Sequence, residues 1–310
     1  MDSGRNIMSL KKWMQVIRAP FLVLTPMLAF MGTSIAWWYD GIFNLGYALV
    51  AFAGMLLAHI SVNVLNEYFD YKSGVDMETI KTPFSGGSGV LPAGLLKPKQ
   101  ALWLGLVSFL LIIPIGIFFV LNVGWSLLPL LLVAAVTIIV YTPLILKMGW
   151  PEWAPGFGFG ALPILGFYFV QTGEYTIPAI VASVPIGILA HNLLLINELP
   201  DVDADRKVGR RNLPIVIGKS KASLIYSILT LIVYLWIIGG VMATWITGSD
   251  IMPTYCLIAI ITLPFALKAI RGSRQYNDMS RLVPALANNV ITFLITTLLL
   301  GVGYVLAGVL

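Results

Sequence analysis

Apolar residues gather into runs at 18–38, 44–69, 99–121, 125–143, 153–171, 176–198, 220–246, 251–270 and 284–309, with short polar stretches between them. A helix rises about 1.5 Å per residue and needs about 20 residues to cross the hydrocarbon core of a bilayer. Each run therefore predicts a spanning helix, and the chain reads as an all-α polytopic membrane protein forming a single domain over 1–310. Pro20, Pro26, Pro114, Pro129, Pro163, Pro178, Pro185 and Pro264 fall within or at the ends of these runs, where proline is better tolerated than in soluble helices.

Charge supplies the orientation. All 19 Lys and Arg residues fall before or at the start of the first run, or in the connections after every second run and at the run ends that border them. The opposite connections, around Asp40, Asn122, Glu174 and Asp250, are short and carry none. By the positive-inside rule the N-terminus and the connections 70–98 and 199–219 are expected in the cytoplasm, the C-terminus on the other side, and the protein in the cell membrane. The pattern supports an odd number of spans, because adding or losing one would scatter the charges. The same rule accounts for the net charge of +5 without a nucleic-acid partner. At 58% hydrophobic and 11% charged, the chain lies far from the roughly 25% charged residues of soluble domains. Residues 1–17 read as a basic leader in which Trp13 beside Lys11 and Lys12 marks a short interfacial helix, with no removable signal expected. The single cysteine, Cys256, excludes an internal disulfide and a Cys-based metal site. Trp37, Trp38, Trp125, Trp150, Trp153 and Trp245, near run ends, fit a membrane aromatic belt.

Two acid-rich stretches break the apolar pattern on the cytoplasmic side: Asn66-Glu67-Tyr68-Phe69-Asp70, continuing to Asp76, and Asn197-Glu198-Leu199-Pro200-Asp201, continuing to Asp205. They share the pattern NExxD, a weak internal echo. His59, Asn63, Asn66 and Asp70 lie along one helical face, and Gly74 is expected to end that helix and fold Asp76 back toward Asp70. Asn197, Asp201 and Asp205 share a face in the same way, with Pro200 kinking or restarting the helix and Asp203 left to solvent. A carboxylate at membrane depth costs about 2.5 to 3.5 kcal/mol on insertion scales, so it lines a cavity or has a partner; the alternative is a helix that ends with its acid in the headgroup layer. Hard oxygen ligands of this kind suit Mg²⁺, which keeps water and substrate phosphate in its shell, and two facing clusters suit a diphosphate bridging two such ions. The loop Lys81-Thr82-Pro83-Phe84-Ser85-Gly86-Gly87-Ser88-Gly89 offers a cation, hydroxyls and glycine amides to phosphate oxygens, or is a plain connector; GxxxxGK[ST] is absent. Arg206, Lys207, Arg210 and Arg211 can clamp a diphosphate or serve only as topology signals. Tyr141 can present its ring to a developing cation and Lys147 can reach phosphate, or both simply sit at the interface. His191 reads as a satisfied packing histidine. A cation-coupled transporter also carries Asp and Asn in its helices, but its ion site is expected near the midplane rather than at span ends. A CDP-alcohol phosphotransferase would show DxxDG followed by GxxxDxxxD, which is missing.

With both motifs in place, NxxxD plus a following Asp and NxxxDxxxD running into Arg206, Gly209, Arg210 and Leu213, the whole chain resembles the UbiA superfamily of intramembrane prenyltransferases. The resemblance implies helices around a central cavity, with Asn66, Asp70, Asp76, Asn197, Asp201 and Asp205 holding Mg²⁺, two ions, against a polyprenyl diphosphate. It implies catalytic roles for Asp70, Asp76, Asp201, Asp205 and Tyr141, and substrate contacts from Arg18, Asn66, Lys81, Ser85, Lys147, Asn197, Arg206, Lys207 and Arg210. The prenyl tail is expected in an apolar tunnel open sideways to lipid, and the acceptor is expected to be aromatic. The long form of the first motif, Asp70 to Asp76, looks like the 1,4-dihydroxy-2-naphthoate branch of menaquinone biosynthesis; 4-hydroxybenzoate, glycerol-phosphate lipid, haem and chlorophyll branches differ in acceptor. Asn212 stands where the family commonly has Thr, a departure that questions a hydroxyl role there but not the metal ligands.

Overall fold

The computed structural model describes residues 10–79 and 81–310. Among them there is no β-strand, and eight helices are long and apolar enough to cross a membrane. In chain order these and one shorter apolar helix are α1 (Ala19–Asp40), α2 (Leu45–Ser73), α3 (Pro98–Asn122), α4 (Trp125–Val140, the shorter one), α5 (Trp153–Thr172), α6 (Ile177–Asn197), α7 (Lys219–Thr247), α8 (Thr254–Ser273) and α9 (Met279–Val309). Every predicted run has its helix. The first nine residues of the expected leader lie outside the described residues; 10–16 are helical, and Trp13, Val16 and Ile17 pack on Val64, Leu91 and Ala101. The described part of the leader is thus docked on the protein.

Local chemistry sets the helix ends. Asn44 caps α2 by accepting from the Tyr47 amide at 3.0 Å, and Asp278 caps α9 by accepting from Ser280, each satisfying an amide that has no partner within its helix. The Asp278 cap starts α9 at Met279, five residues ahead of the apolar run. α8 departs from expectation differently: its first half, Thr254–Thr262, is wound as a 3₁₀ helix.

The core fills the space among α1, α5, α6, α7, α8 and α9, around Leu28, Ile35, Tyr168, Ile186, Ile237 and Phe293. α5 carries a π-helical turn at Phe157–Ala161, where a Cβ on Gly160 would stand 2.5 Å from the Gly187 Cα of α6. Such turns often occur at functional sites, and this one brings Gly158 and Phe159 to a cavity. α2 and α3 pair tightly, with Gly105 against Leu65 and the Ser61 hydroxyl donating to the Gly105 carbonyl at 2.9 Å. α4 buries only Leu127, in its first turn. Its loose seating leaves a cavity of about 610 Å³ between it and α1, α2, α3, α5, α6 and α9. Ile113, Ile117, Trp125 and Leu132 line this space and are also exposed on the outer surface, so it opens sideways where lipid would lie. At one end it meets Arg18, Asn63, Asn66, Tyr141 and Asn197.

Candidate active site

That polar end is where the two acid-rich stretches arrive. α2 runs to Ser73 and stops at Gly74, whose φ of +81° is open to glycine at little cost. The chain turns into the short helix Val75–Glu78, which buries Asp76. The loop 81–90 then passes over it. At Gly87, also left-handed, a Cβ would lie 2.7 Å from Asp76 Oδ1, so only a glycine allows this approach. Asn66 donates from Nδ2 to the Thr142 hydroxyl at 3.1 Å, joining α2 to the end of α4.

The second stretch behaves as Pro200 requires. α6 ends at Asn197, a turn follows, and a short helix restarts at Val202–Lys207. The amide of Asp205 donates to the Asp201 carbonyl at 2.9 Å, which keeps the helical sense across the break. Asp205 is buried, whereas Asp203 is exposed as expected. Asn212 donates to Asp205 Oδ2 at 3.0 Å while its own Oδ1 accepts from the Ile215 amide. The amide that replaces the common Thr therefore caps Leu213–Ile217 and orients the Asp205 carboxylate at once.

The two stretches converge. The short helices Val75–Glu78 and Val202–Lys207 pack together, and Arg210 spans the gap, donating from Nη1 to Asp205 at 2.9 Å and from Nη2 to Asp70. Burial works against the guanidinium charge, but Asp70 and Asp205 hold it, keeping its pKa above the ordinary value. Burial first, then the charge of Asp70, pushes the Asp76 carboxyl up to about 7; burial, then Asp205, pushes Asp201 up to about 7 as well. Burial also raises Asp205. Such raised values mark carboxylates short of positive charge.

Among the described residues no three His, Cys, Asp or Glu side chains are gathered closely enough to hold a metal by themselves. Two of the six predicted ligands, Asp70 and Asp205, are paired with Arg210. Three others present buried oxygens with no hydrogen-bond partner: Asp76 Oδ2, Asn197 Oδ1 and Asp201 Oδ1. An unsatisfied buried acceptor costs about 1–3 kcal/mol, and these three come from both stretches. They fit Mg²⁺, which takes hard oxygens from one or two carboxylates and completes its shell with water and substrate phosphate rather than with a protein cage.

Other predicted residues are placed less centrally. Ser85 lies within reach of Asp201; its hydroxyl shares a hydrogen bond with that of Thr82 at 3.0 Å, and its amide donates to the Thr82 hydroxyl at 2.8 Å. Lys81 lies over Gly89. Lys207 is exposed and pairs with Glu78. Lys147 and Arg206 are exposed and do not line the cavity. Tyr141 does line it. His191 is satisfied, accepting from Trp150 Nε1 at 3.1 Å and meeting the Asn192 amide oxygen. Three acids with structural importance carried no role in the sequence reading. Glu67 is fully buried against Arg18 and Ser88; Glu152, also fully buried, accepts from the Leu213 amide at 2.7 Å; and Glu198 lies beside Glu152. The signal for Glu67 and Glu198 was their shared place in NExxD, and for Glu152 a lone acid between Trp150 and Trp153.

The profile of the UbiA prenyltransferase family matches residues 24–290. The chain belongs to that family. This UbiA-family chain is 27% identical over 296 residues to 1,4-dihydroxy-2-naphthoate octaprenyltransferase of Bacillus subtilis (strain 168), covering 94% of this chain and 92% of the relative. It is 25% identical over 237 residues to digeranylgeranylglyceryl phosphate synthase of Pyrococcus horikoshii, covering 70% and 73%. In fold it is similar to a UbiA homolog from Archaeoglobus fulgidus bound to DMAPP and Mg²⁺, at a TM-score of 0.61 and 15% identity over 91% of this chain and 99% of that one. It is also similar to a UbiA homolog from Aeropyrum pernix K1, at a TM-score of 0.64 and 14% identity over 93% and 98%. The UbiA-family chain is accordingly an intramembrane enzyme that transfers prenyl groups.

Proposed function

We propose that this enzyme moves a polyprenyl group from its diphosphate to 1,4-dihydroxy-2-naphthoate with the help of Mg²⁺, on the cytoplasmic side of the cell membrane. The observation that carries the reading is the set of unpartnered buried oxygens on Asp76, Asn197 and Asp201 at the polar end of a long apolar cavity. Asp70, Asp205 and Asn66 complete the ligand set from the same two stretches. When bound, Mg²⁺ supplies the positive charge that neutralises a departing diphosphate.

The chain's own residues do the rest. The apolar walls from α3 and α4 take the prenyl tail, and their opening lets distal units run into lipid. Arg18 and Arg210 donate to diphosphate oxygens, holding the headgroup over the polar end. The bond between C1 of the prenyl group and the diphosphate oxygen breaks, and its electron pair leaves with the diphosphate. A ring carbon of the acceptor then bonds to C1, and with a ring carboxylate at that carbon, CO₂ leaves. Tyr141 turns its ring toward the charge developing at C1, while Phe84, Phe159 and the packed α5 turn exclude water that would otherwise capture it. The naphthoate acceptor is supported by the Bacillus relative, whose match covers more than nine-tenths of both chains.

The test is to incubate membranes containing the protein with Mg²⁺, a labelled polyprenyl diphosphate and a panel of acceptors. Transfer to 1,4-dihydroxy-2-naphthoate is expected. Transfer only to 4-hydroxybenzoate, or only to a glycerol-phosphate lipid, overturns the acceptor; dependence on no divalent ion overturns the role of Mg²⁺.

A further inference from the structure

A single carboxylate outside the ligand set ties three parts of the site together. Glu67, on α2, is fully buried. Its Oε1 accepts from Arg18 Nε at 2.8 Å and Nη2 at 2.7 Å, and also from the Ser88 amide at 2.7 Å, while its Oε2 accepts from the Ser88 hydroxyl at 2.7 Å. One turn back on the same face of α2, Asn63 donates to the Ile17 carbonyl at 3.0 Å. These two side chains grip the same turn, in which Arg18 has a φ of +53°, the one left-handed non-glycine among the described residues. A strained residue persists only where its surroundings over-determine it, and such strain concentrates at ligand clamps. Arg18 lines the polar end of the cavity, and Nη1 makes no hydrogen bond among the described residues.

We propose that Glu67 is a positioning residue: its buried carboxylate aims the guanidinium of Arg18 at the donor diphosphate and, through Ser88, docks the glycine loop over the same headgroup. The inference rests on the prenyltransferase reading above. It makes Glu67 act through Arg18 and the loop, with no bond to the metal or to the reacting atoms. Two of the guanidinium's nitrogens are spent on Glu67, which fixes the plane of the fork; the third is the donor left for a phosphate oxygen.

The discriminating probe is inorganic pyrophosphate, bound by the full-length protein at fixed Mg²⁺ and measured by calorimetry, with a Mg²⁺ titration read by thermal shift. Glu67→Gln and Arg18→Met should each weaken pyrophosphate binding by about tenfold or more, as expected for loss of a fixed charge-assisted contact. Because part of the Glu67 effect runs through Arg18, the double variant should fall well short of the product of the two single effects, and the Mg²⁺ midpoint should stay within about twofold of wild type in all three. Multiplying effects in the double variant, an unchanged pyrophosphate affinity in Glu67→Gln, or a displaced Mg²⁺ midpoint each overturns the proposal. If Glu67→Gln folds poorly because the guanidinium is left with a weaker partner, Arg18→Met/Glu67→Met replaces the pair with matched apolar side chains. It should then bind pyrophosphate at least as weakly as Arg18→Met does; binding at wild-type strength overturns the proposal. A wild-type protein that binds pyrophosphate in this pattern but prenylates no acceptor contradicts the functional reading and leaves the role of Glu67 intact.

Discussion

Replacing Gly87 by Ala tests the metal reading without touching a ligand. Gly87 has a φ of +71°, and a Cβ there would stand 2.7 Å from Asp76 Oδ1, 3.2 Å from its Cγ and 3.3 Å from Oδ2. The left-handed backbone alone costs an alanine about 1–2 kcal/mol. The larger effect is on the carboxylate, which must retreat by about 0.7 Å to restore ordinary contact at 3.4 Å. Asp76 Oδ2 is one of the unpartnered oxygens offered to Mg²⁺, an ion that demands near-ideal geometry, and a site must hold its groups to within about 0.5 Å. The Gly87→Ala protein should therefore bind Mg²⁺ at least about tenfold more weakly, or about 1.4 kcal/mol. The assay is a Mg²⁺ titration of purified protein, read by thermal shift and by transfer at saturating donor. Prenyl transfer should recover at high Mg²⁺. A midpoint within twofold of wild type in a folded Gly87→Ala protein refutes the assignment of Asp76 to the metal.

Three further outcomes follow from the same geometry. Arg210→Met removes the cation shared by Asp70 and Asp205; leaving buried charges unpaired costs about 3–5 kcal/mol, so the variant should melt earlier without Mg²⁺ and regain part of the loss when Mg²⁺ is added. Asp76 and Asp201 sit at about 7 in the folded protein against a usual 3.8. Their contribution to stability is thus full below that usual value and is lost as pH rises through 7. In calorimetry from pH 5 to 8 the metal-free protein should melt progressively earlier while its Mg²⁺ affinity rises, because the metal displaces protons; a pH-independent affinity contradicts this. Ala135→Trp narrows the cavity wall on α4. It should slow transfer from long polyprenyl donors by roughly tenfold or more through overpacking while sparing dimethylallyl diphosphate, as competition between the two donors would show.

The spans were legible because a bilayer demands length and apolarity from each one, and both are written in the run of residues. So were the breaks that shape the site, since Gly74 and Pro200 act through their own backbones. The partners were less legible. Arg210 bridges Asp70, 140 positions away, and nothing in a local window distinguishes it from Arg206 or Lys207, which point into solvent or to Glu78. Glu67 and Glu152 were passed over for the same reason: their value comes from burial against Arg18, Ser88 and the Leu213 amide, contacts made only by the folded chain. The place of Lys147 after Tyr141 fits either a phosphate contact or an interfacial lysine, and its exposure depends on the 3₁₀ turn Ile145–Lys147, which the local sequence does not announce.

The central claim is that both acidic stretches grip one donor headgroup through divalent ions. Its most direct test is a structure of the protein with Mn²⁺ and a polyprenyl thiodiphosphate, using anomalous scattering to locate the metal. The account predicts metal density within about 2.2 Å of Asp76 Oδ2 and of Asp201 Oδ1 or Asn197 Oδ1, with one diphosphate touching ions held by both stretches. Metal confined to a single stretch, or a diphosphate seated away from both, contradicts it.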